Sequence, residues 1–582
     1  MPFMRIGIFF GGPSREREIS FSGGKTAFEY LDQSLFEPVP IFVDSFGRFI
    51  KLDKSLMYRS GIREFYPVAP DLASPFRLYI ESFPELAQQS VPEEIGVEVQ
   101  PADFGQHFDF AFLAMHGPDC EDGAIQGLLE WYRMPYSGPG LMGSALAIDK
   151  ILQNDLIELV NQQQKKSWTL THQQWIPQEY GILFQVLKKH LGLPLVIKAP
   201  HQGSSIGVAI VKEDSLESFV EAVNQCFFQV NILSKAWSVL SLEEKISFGQ
   251  KMANLDEGIG FPVTANGATV LYHPAQLIAF ADEYFANSQA AELMLSSANA
   301  EDQVLIETFI EGQEFSCGCI QFDDGQPLAL PPSEVIKMVE VFDFNAKYRP
   351  GASRKRIPVD TSLSKNQEIQ KMIAEVFQRL GFTACVRIDG FLTADGDILL
   401  HDPNTIPGMS PTSFIFKQMA EIGLDVTQAL TYLIRQSLRE RIRLGKNTWQ
   451  WRDLLARLDE RIFLQQQLPK PKIGIVFEPT QEGYLQARQH FGTINASGNK
   501  QAIPVLHAED GRYYVLSKPM MFKESIIDVE DLIALPRHPL LTETSQRADS
   551  LTRFYAGVVD FQIYTYNSLN EIASIDEWLV ES

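Results

Sequence analysis

Val386-Arg-Ile-Asp-Gly-Phe-Leu392 and Ile398-Leu-Leu-His-Asp-Pro-Asn404 are two largely apolar runs separated by a polar turn, Ala394 to Asp397. The Asp395-Gly396 step inside that turn is a hairpin signal. Each run carries oxygen ligands, Asp389 on the first and Asp402 with Asn404 on the second. A hairpin brings such side chains together as hard donors, the kind Mg²⁺ takes when it also holds phosphates. Arg387 is two residues from Asp389, so strand alternation puts both on one face. The chain then runs on through Gly408 to Ser413-Phe414. A surface hairpin with solvated acids has the same local pattern, so the choice rests on the remaining chain.

Working outward, 582 residues are too many for one core and predict three or four domains. A net charge of −23 disfavours nonspecific nucleic-acid binding but leaves room for a local anion site built from a few Lys, Arg and N–H groups. Five scattered cysteines predict neither a disulfide framework nor a zinc site and fit a reducing compartment. Cys317-Gly-Cys319 reads as two half-buried strand residues. No signal peptide and no transmembrane helix are expected.

Arg5 to Phe10 reads as a buried strand, broken by Gly11-Gly-Pro-Ser14, with a helix opening at Arg15-Glu-Arg-Glu-Ile-Ser20. Strand, Gly-rich turn and helix begin a doubly wound α/β unit. Glu16 either favours the helix dipole or faces a cleft and takes an ammonium. Val39 to Val43 is a second strand, and Phe108 to Met115 a third, ending in His116-Gly-Pro-Asp-Cys-Glu-Asp-Gly123. Residues 51–100 have no clear pattern. A helical run from Leu141 is expected to contain Asp149-Lys150. Pro194 to Lys198 and Val208 to Val211 are strands flanking Ala199-Pro-His-Gln-Gly-Ser-Ser-Ile-Gly207, a turn able to fold over phosphates. It lacks P-loop spacing.

Gly11-Gly-Pro-Ser-Arg-Glu-Arg-Glu-Ile-Ser20, His116-Gly-x-x-x-Glu-Asp-Gly123, Ser144-Ala-x-Ala-x-Asp-Lys150, the Lys198 strand with its Gly-Ser-Ser-x-Gly loop, and the hairpin occur in the order seen in one family. The sequence resembles the D-alanine–D-alanine ligases of the ATP-grasp superfamily. That resemblance implies an α/β protein with an N-terminal doubly wound domain (1–140) and an ATP-grasp domain (141–440), to which residues 441–582 are expected to add an extra C-terminal α/β domain. It implies ATP and Mg²⁺ (or Mn²⁺), with metal ligands Asp389, Asp402 and Asn404, and phosphate contacts from Lys150, Lys198 and Lys347. Ser205 belongs with the nucleotide, backbone at Thr308 and Ile310 reads adenine, Glu307 takes its amino group, and Glu314 takes the ribose. From the residues alone, Glu307 and Glu314 are equally compatible with exposed strand positions.

For the amino acids, the resemblance implies Glu16 at the first ammonium and Ser413 at the second substrate's carboxylate, with His116 and Phe414 also in the substrate site. Arg387 and the Gly408 N–H would stabilise an oxyanion, and Tyr348 would bond Ser204 and Glu16 as a loop closes. The expected activity is D-alanyl-D-alanine formation for peptidoglycan synthesis in the cytoplasm, without membrane or nucleic-acid partners, and with a homodimer as a possible assembly. Ligation of other amino acids, or nucleotide binding without turnover, are the alternatives.

Three features depart from the family. Aspartate stands at 402 where glutamate is usual. An insertion at about 225–300 is expected to add a helical subdomain, with helices near Ser241–Leu255 and Asp282–Ser297. After Leu468-Pro-Lys-Pro-Lys472 the chain restarts: Ile473-Gly-Ile-Val-Phe477 echoes Ile6-Gly-Ile-Phe-Phe10, and Ile503-Pro-Val-Leu506 echoes Val39-Pro-Ile-Phe42. The expectation is a degenerate copy of the first α/β unit without its ligand turn, serving docking, dimerisation or regulation.

Overall fold

The structure, a computed structural model, describes residues 4–67, 75–337, 353–445 and 448–581. The expected site residues Lys347 and Tyr348 lie outside these. Strands β1 (Met4–Gly11), β2 (Phe36–Val43), β3 (Phe49–Leu52), β4 (Gly96–Glu98) and β5 (Phe110–Leu113) form one sheet in the order β4-β3-β2-β1-β5. β1 runs parallel to both β2 and β5. Ile6, Ile8, Phe9 and Phe10 are fully buried, because both faces of this central strand are covered. Gly7 leaves room for the Phe108 ring, which would sit 2.7 Å from an added Cβ. Helix α1 (Arg17–Tyr30) follows the Gly-rich turn.

The helical run at Leu141 stops at Ile148, contrary to expectation. Asp149 takes extended backbone and accepts from the N–H groups of Ile151 and Leu152, so it caps a new helix, α2 (Lys150–Asn161). Lys150 thereby starts a helix instead of lying inside one. The next sheet has β6 (Ser167–Thr171), β7 (Leu195–Lys198) and β8 (Val208–Val211), with a later strand between β6 and β7.

The insertion is not purely helical. β9 (Gln229–Leu233), β10 (Val263–Ala265), β11 (Thr269–Leu271) and β12 (Glu292–Ser297) form a sheet ordered β11-β10-β12-β9, beside helices Leu242–Ala253 and Pro274–Asn287. The first helix has the Ser241/Glu244 capping box. The second begins at Pro274, and Glu292–Ser297, expected as helix, is a strand whose side chains alternate between exposed or half-exposed and buried.

β13 (Gln303–Thr308) completes the sheet as β6-β13-β7-β8. A second antiparallel sheet follows, with β14 (Gln313–Gln321), β15 (Pro327–Ala329), β16 (Ser333–Lys337), β17 (Ser353–Arg356), β18 (Cys385–Leu392) and β19 (Ile398–Asn404). Its order is β17-β16-β14-β18-β19, with β15 also on β14. Cys317 and Cys319 are fully buried in β14, not half-buried, because they pair with the central strand β18. Helices α3 (Phe414–Glu421) and α4 (Val426–Leu444) close this part.

The last region has β20 (Lys472–Phe477), helix α5 (Gln481–Ala496), β21 (Gln501–His507), β22 (Tyr513–Val515), β23 (Tyr564–Tyr566) and β24 (Glu577–Glu581). Its sheet order, β23-β22-β21-β20-β24, and its strand senses match those of the first sheet. Details recur as well. Asp109 accepts from the Arg5 N–H and donates its own N–H to the Arg5 carbonyl; Asp576 does both with Lys472. Helix α5 packs on α1, where the Tyr30 ring fills the space left by Gly492. One continuous apolar core includes Phe21 of the first unit, Leu430 of α4 and Tyr484 of α5.

Candidate active site

The β18–β19 hairpin forms as its sequence reads, with a turn around Gly396. Its register is interrupted: Arg387 opposes Asn404, whereas Asp389 opposes His401. The one extra residue on β19 is accommodated at Asp402, a non-glycine in left-handed backbone at φ 52°. The bulge turns Asp402 toward Lys150, whose Nζ is 3.2 Å from its Oδ1. Strain of this kind persists where the surroundings hold it, and such places are enriched in functional sites.

A cavity of about 140 Å³ lies beneath the hairpin, lined by Glu16, His116, Lys150, Ser204, Arg387 and Asp389, with Asp402, Asn404, Gly408, Ser413 and Phe414 completing the wall. Glu314 also reaches it. Glu16, at the start of α1, accepts a hydrogen bond from Ser204 Oγ across the β7–β8 loop. Gly203 is needed there, since an added Cβ would lie 2.5 Å from Glu16 Oε2. Ser204 and Ser205 both hold left-handed backbone, at φ 51° and 65°, so the loop makes a concave turn over the cavity. His201 anchors it through Glu301 Oε2 at 2.8 Å, and side-chain hydrogen bonds to Asp149 and Glu301 raise the imidazole to about 10.

Lys198 is not in the cavity wall. Its Nζ is 2.7 Å from Glu307 Oε2, and Glu307 also pairs with Lys165 and accepts from Asn154 Nδ2 at 2.8 Å. Burial opposes ionisation of Glu307, but the two lysines outweigh it and hold its carboxyl below the ordinary range. Burial also works against the Lys198 charge, and Glu307 reverses that. Glu307 is therefore engaged in fixing a buried cation, a use its expected adenine contact did not anticipate. Thr308 is also occupied, its Oγ1 donating to the Leu191 carbonyl at 2.9 Å. Ser205, Thr308 and Ile310 border the neighbouring sheet rather than this cavity.

Asp389 accepts from Ser316 Oγ at 2.6 Å and from Arg387 through Nε and Nη2, both at 3.1 Å. Among the described residues no group of three His, Cys, Asp or Glu is placed to hold a metal. The donor set offered is two carboxylates and an amide. Asn404 Oδ1 is buried with no hydrogen-bond partner among the described residues. A hard divalent cation fits such an orphaned oxygen beside two acids.

Elsewhere in the cavity wall, His116 Nε2 and Ser413 Oγ are likewise buried and unpartnered among the described residues. Burial, reinforced by Arg387, lowers the His116 imidazole to about 4, so it is neutral. Glu121 donates no charge lightly: burial and the Glu16 carboxylate raise its pKa, while the Gly117 N–H holds its Oε1 at 3.0 Å. Sequence reasoning missed Lys165, Asn154, Ser316, Glu121 and Lys355. Of these only Glu121 stood in a recognised motif; Ser316 meets Asp389 across paired strands, Lys355 comes from β17, Asn154 from helix α2 and Lys165 from the segment before β6.

A four-stranded antiparallel sheet with a serine-glycine loop after its lysine-bearing strand, a second antiparallel sheet carrying the acidic hairpin, and a Gly-rich α/β domain define a ligase of the ATP-grasp class. Residues 5–139 match the family model described as D-ala D-ala ligase N-terminus, and residues 284–435 the one described as D-ala D-ala ligase C-terminus. The chain belongs to the D-alanine–D-alanine ligase family. The D-alanine–D-alanine ligase of Geobacillus kaustophilus is 24% identical over 442 residues, 75% of this chain and 94% of that protein. D-alanine–D-alanine ligase A of Brucella melitensis is 26% identical over 443 residues, 75% of this chain and 98% of that one. The solved D-alanine–D-alanine ligase from Coxiella burnetii aligns with a TM-score of 0.49 at 21% identity, covering 79% of this chain and all of its own. Neither family model extends past residue 435.

Proposed function

We propose that this chain joins two D-alanines into D-alanyl-D-alanine at the expense of ATP, through an acyl phosphate, as a cytoplasmic step toward peptidoglycan. The observation that carries this reading is the meeting of Glu16, Arg387, Asp389, Asp402, Asn404 and Ser413, drawn from sites nearly 400 residues apart, around one cavity. In this reading Glu16 holds the ammonium of the first D-alanine, and Ser204, bonded to it, belongs to the loop that shields the site from water. Lys150 and Lys198 neutralise phosphate charge, with Lys347 expected to join them from the closing segment. Positioning and charge neutralisation are most of what phosphoryl transfer asks of a protein.

Asp389, Asp402 and Asn404 would hold Mg²⁺ or Mn²⁺, which when bound supplies further neutralisation of phosphate charge. Arg387 and the Gly408 N–H face the place where an oxyanion develops as the second amine attacks, a role worth about 3 kcal/mol per donor. Arg387 is held by Asp389, so the same carboxylate links the phosphate end to the oxyanion end. His116, being neutral, offers a polar contact without competing for a substrate cation. Ser413 and Phe414 bound the acceptor. Glu314 would take the ribose hydroxyls, and Tyr348, outside the described residues, is expected to bond Ser204 and Glu16.

The test is incubation of purified protein with ATP, Mg²⁺ and D-alanine. Dipeptide and phosphate in equal amounts are expected. Turnover only with another amino acid, or ATP binding with no turnover across a panel, overturns the reading.

A further inference from the structure

A residue of the C-terminal extension, beyond the family match, pairs with a lysine of the cavity wall. Lys355 on β17 lines it, with its Nζ 4.8 Å from the Phe414 ring centroid. The same ammonium is 3.4 Å from Glu524 Oε1. Glu524 lies in the C-terminal extension and also pairs with Lys417 of α3, the helix that begins beside Ser413. One carboxylate thus serves two ammonium groups, and Lys355 is the one facing the cavity. Neighbouring contacts fasten both elements to the extension. Arg354 Nη2 is 2.5 Å from Asp528 Oδ1, Lys523 Nζ is 2.8 Å from Glu421 Oε1, and Arg537 Nη2 donates to the Glu421 carbonyl at 2.5 Å.

We propose that the extension is a working part of the site: Glu524 positions Lys355 as a cation for the carboxylate of the acceptor amino acid, beside Ser413. The pairing supports this: Glu524 Oε1 is shared between the two ammonium groups, and Lys355 borders the wall where Ser413 Oγ is a buried, unpartnered donor among the described residues. Burial, then Lys355, lower Lys417 to about 7 against the pull of Glu524, so near neutral pH that deep lysine is charged only in part. Glu524 is a positioning residue, whereas Lys355 touches substrate.

This inference rests on the proposed ligase reading, and the experiment separates the two. Initial rates are measured with D-alanine varied over both of its sites, in wild type, K355M, K355R and E524Q, after thermal melts establish that each variant is folded. K355M is expected to raise the acceptor KM about tenfold or more, the scale of a lost charge-assisted contact. The ATP KM and first-site KM should stay within about twofold, with K355R near wild type and E524Q intermediate. With D-alaninamide as acceptor, which has no carboxylate, wild type and K355M should have equal KM. An unchanged acceptor KM in K355M, or an equal defect with the amide, overturns the proposal. If wild type makes no dipeptide, the ligase reading fails instead. D-alanine binding by calorimetry in wild type and K355M then decides the role of Lys355 alone, equal affinities or no binding counting against it.

Discussion

At the residue scale the site depends on a few groups held against their solution preferences. Asp402 is one. It sits in left-handed backbone at a bulge and pairs with Lys150. Asp402→Ala should raise the Mg²⁺ concentration for half-maximal rate by about tenfold or more, read by titrating metal against dipeptide formation. An unchanged requirement would remove Asp402 from the ligand set. His116 is another. It is neutral when folded, at about 4, and an unfolded histidine takes its proton near 6.5. The unfolded chain therefore binds the extra proton between those values. The stability His116 contributes is complete above pH 6.5 and is lost as pH falls toward 4, at about 1.4 kcal/mol per pH unit. Melting temperatures of His116→Gln should accordingly fall less steeply over that window than those of wild type. Nothing in the sequence announced this neutrality, because it comes from burial and from Arg387, 271 positions away.

At the element scale, what was legible in the sequence was what local pattern determines. The β18–β19 hairpin, α1 after its Gly-rich turn and the β7–β8 strand pair all stand where alternation and turn residues put them. What was not legible depended on competition between neighbours. Asp149 capped a helix that periodicity alone carried straight through, and Glu292–Ser297 became a strand because β9 and β10 were there to pair with it. Lys165 and Asn154 could not be singled out, since only the packing of helix α2 and the segment after it beside β13 brings them to Glu307. Two glycines test the element level. Gly203→Ala places a methyl against Glu16 and should raise the first-site D-alanine KM while leaving the ATP KM within about twofold. Gly492→Leu should overfill the α1–α5 contact at Tyr30, costing about 1–3 kcal/mol. That would appear as a lower melting temperature, with the kinetic constants preserved.

At the scale of the whole molecule, the C-terminal region is structurally continuous with the rest. Its sheet repeats the first one strand for strand, as the echo of Ile6-Gly-Ile in Ile473-Gly-Ile suggested, but its apolar side chains belong to the same core as α1 and α4. The sequence echo could not show this, since it reports on the inside of each unit and not on what its helix faces. Ending the chain at Leu468 should leave Tyr30, Leu430 and Tyr432 short of partners. The shortened protein is expected to aggregate on size exclusion, and a soluble monomer with wild-type kinetics would refute the shared core. Covalent linkage gives that second unit a further property. A subunit recruited from solution falls away on dilution, whereas one tethered in the same polypeptide remains at a fixed, high local concentration. Specific activity per chain should hold level from micromolar down to nanomolar protein.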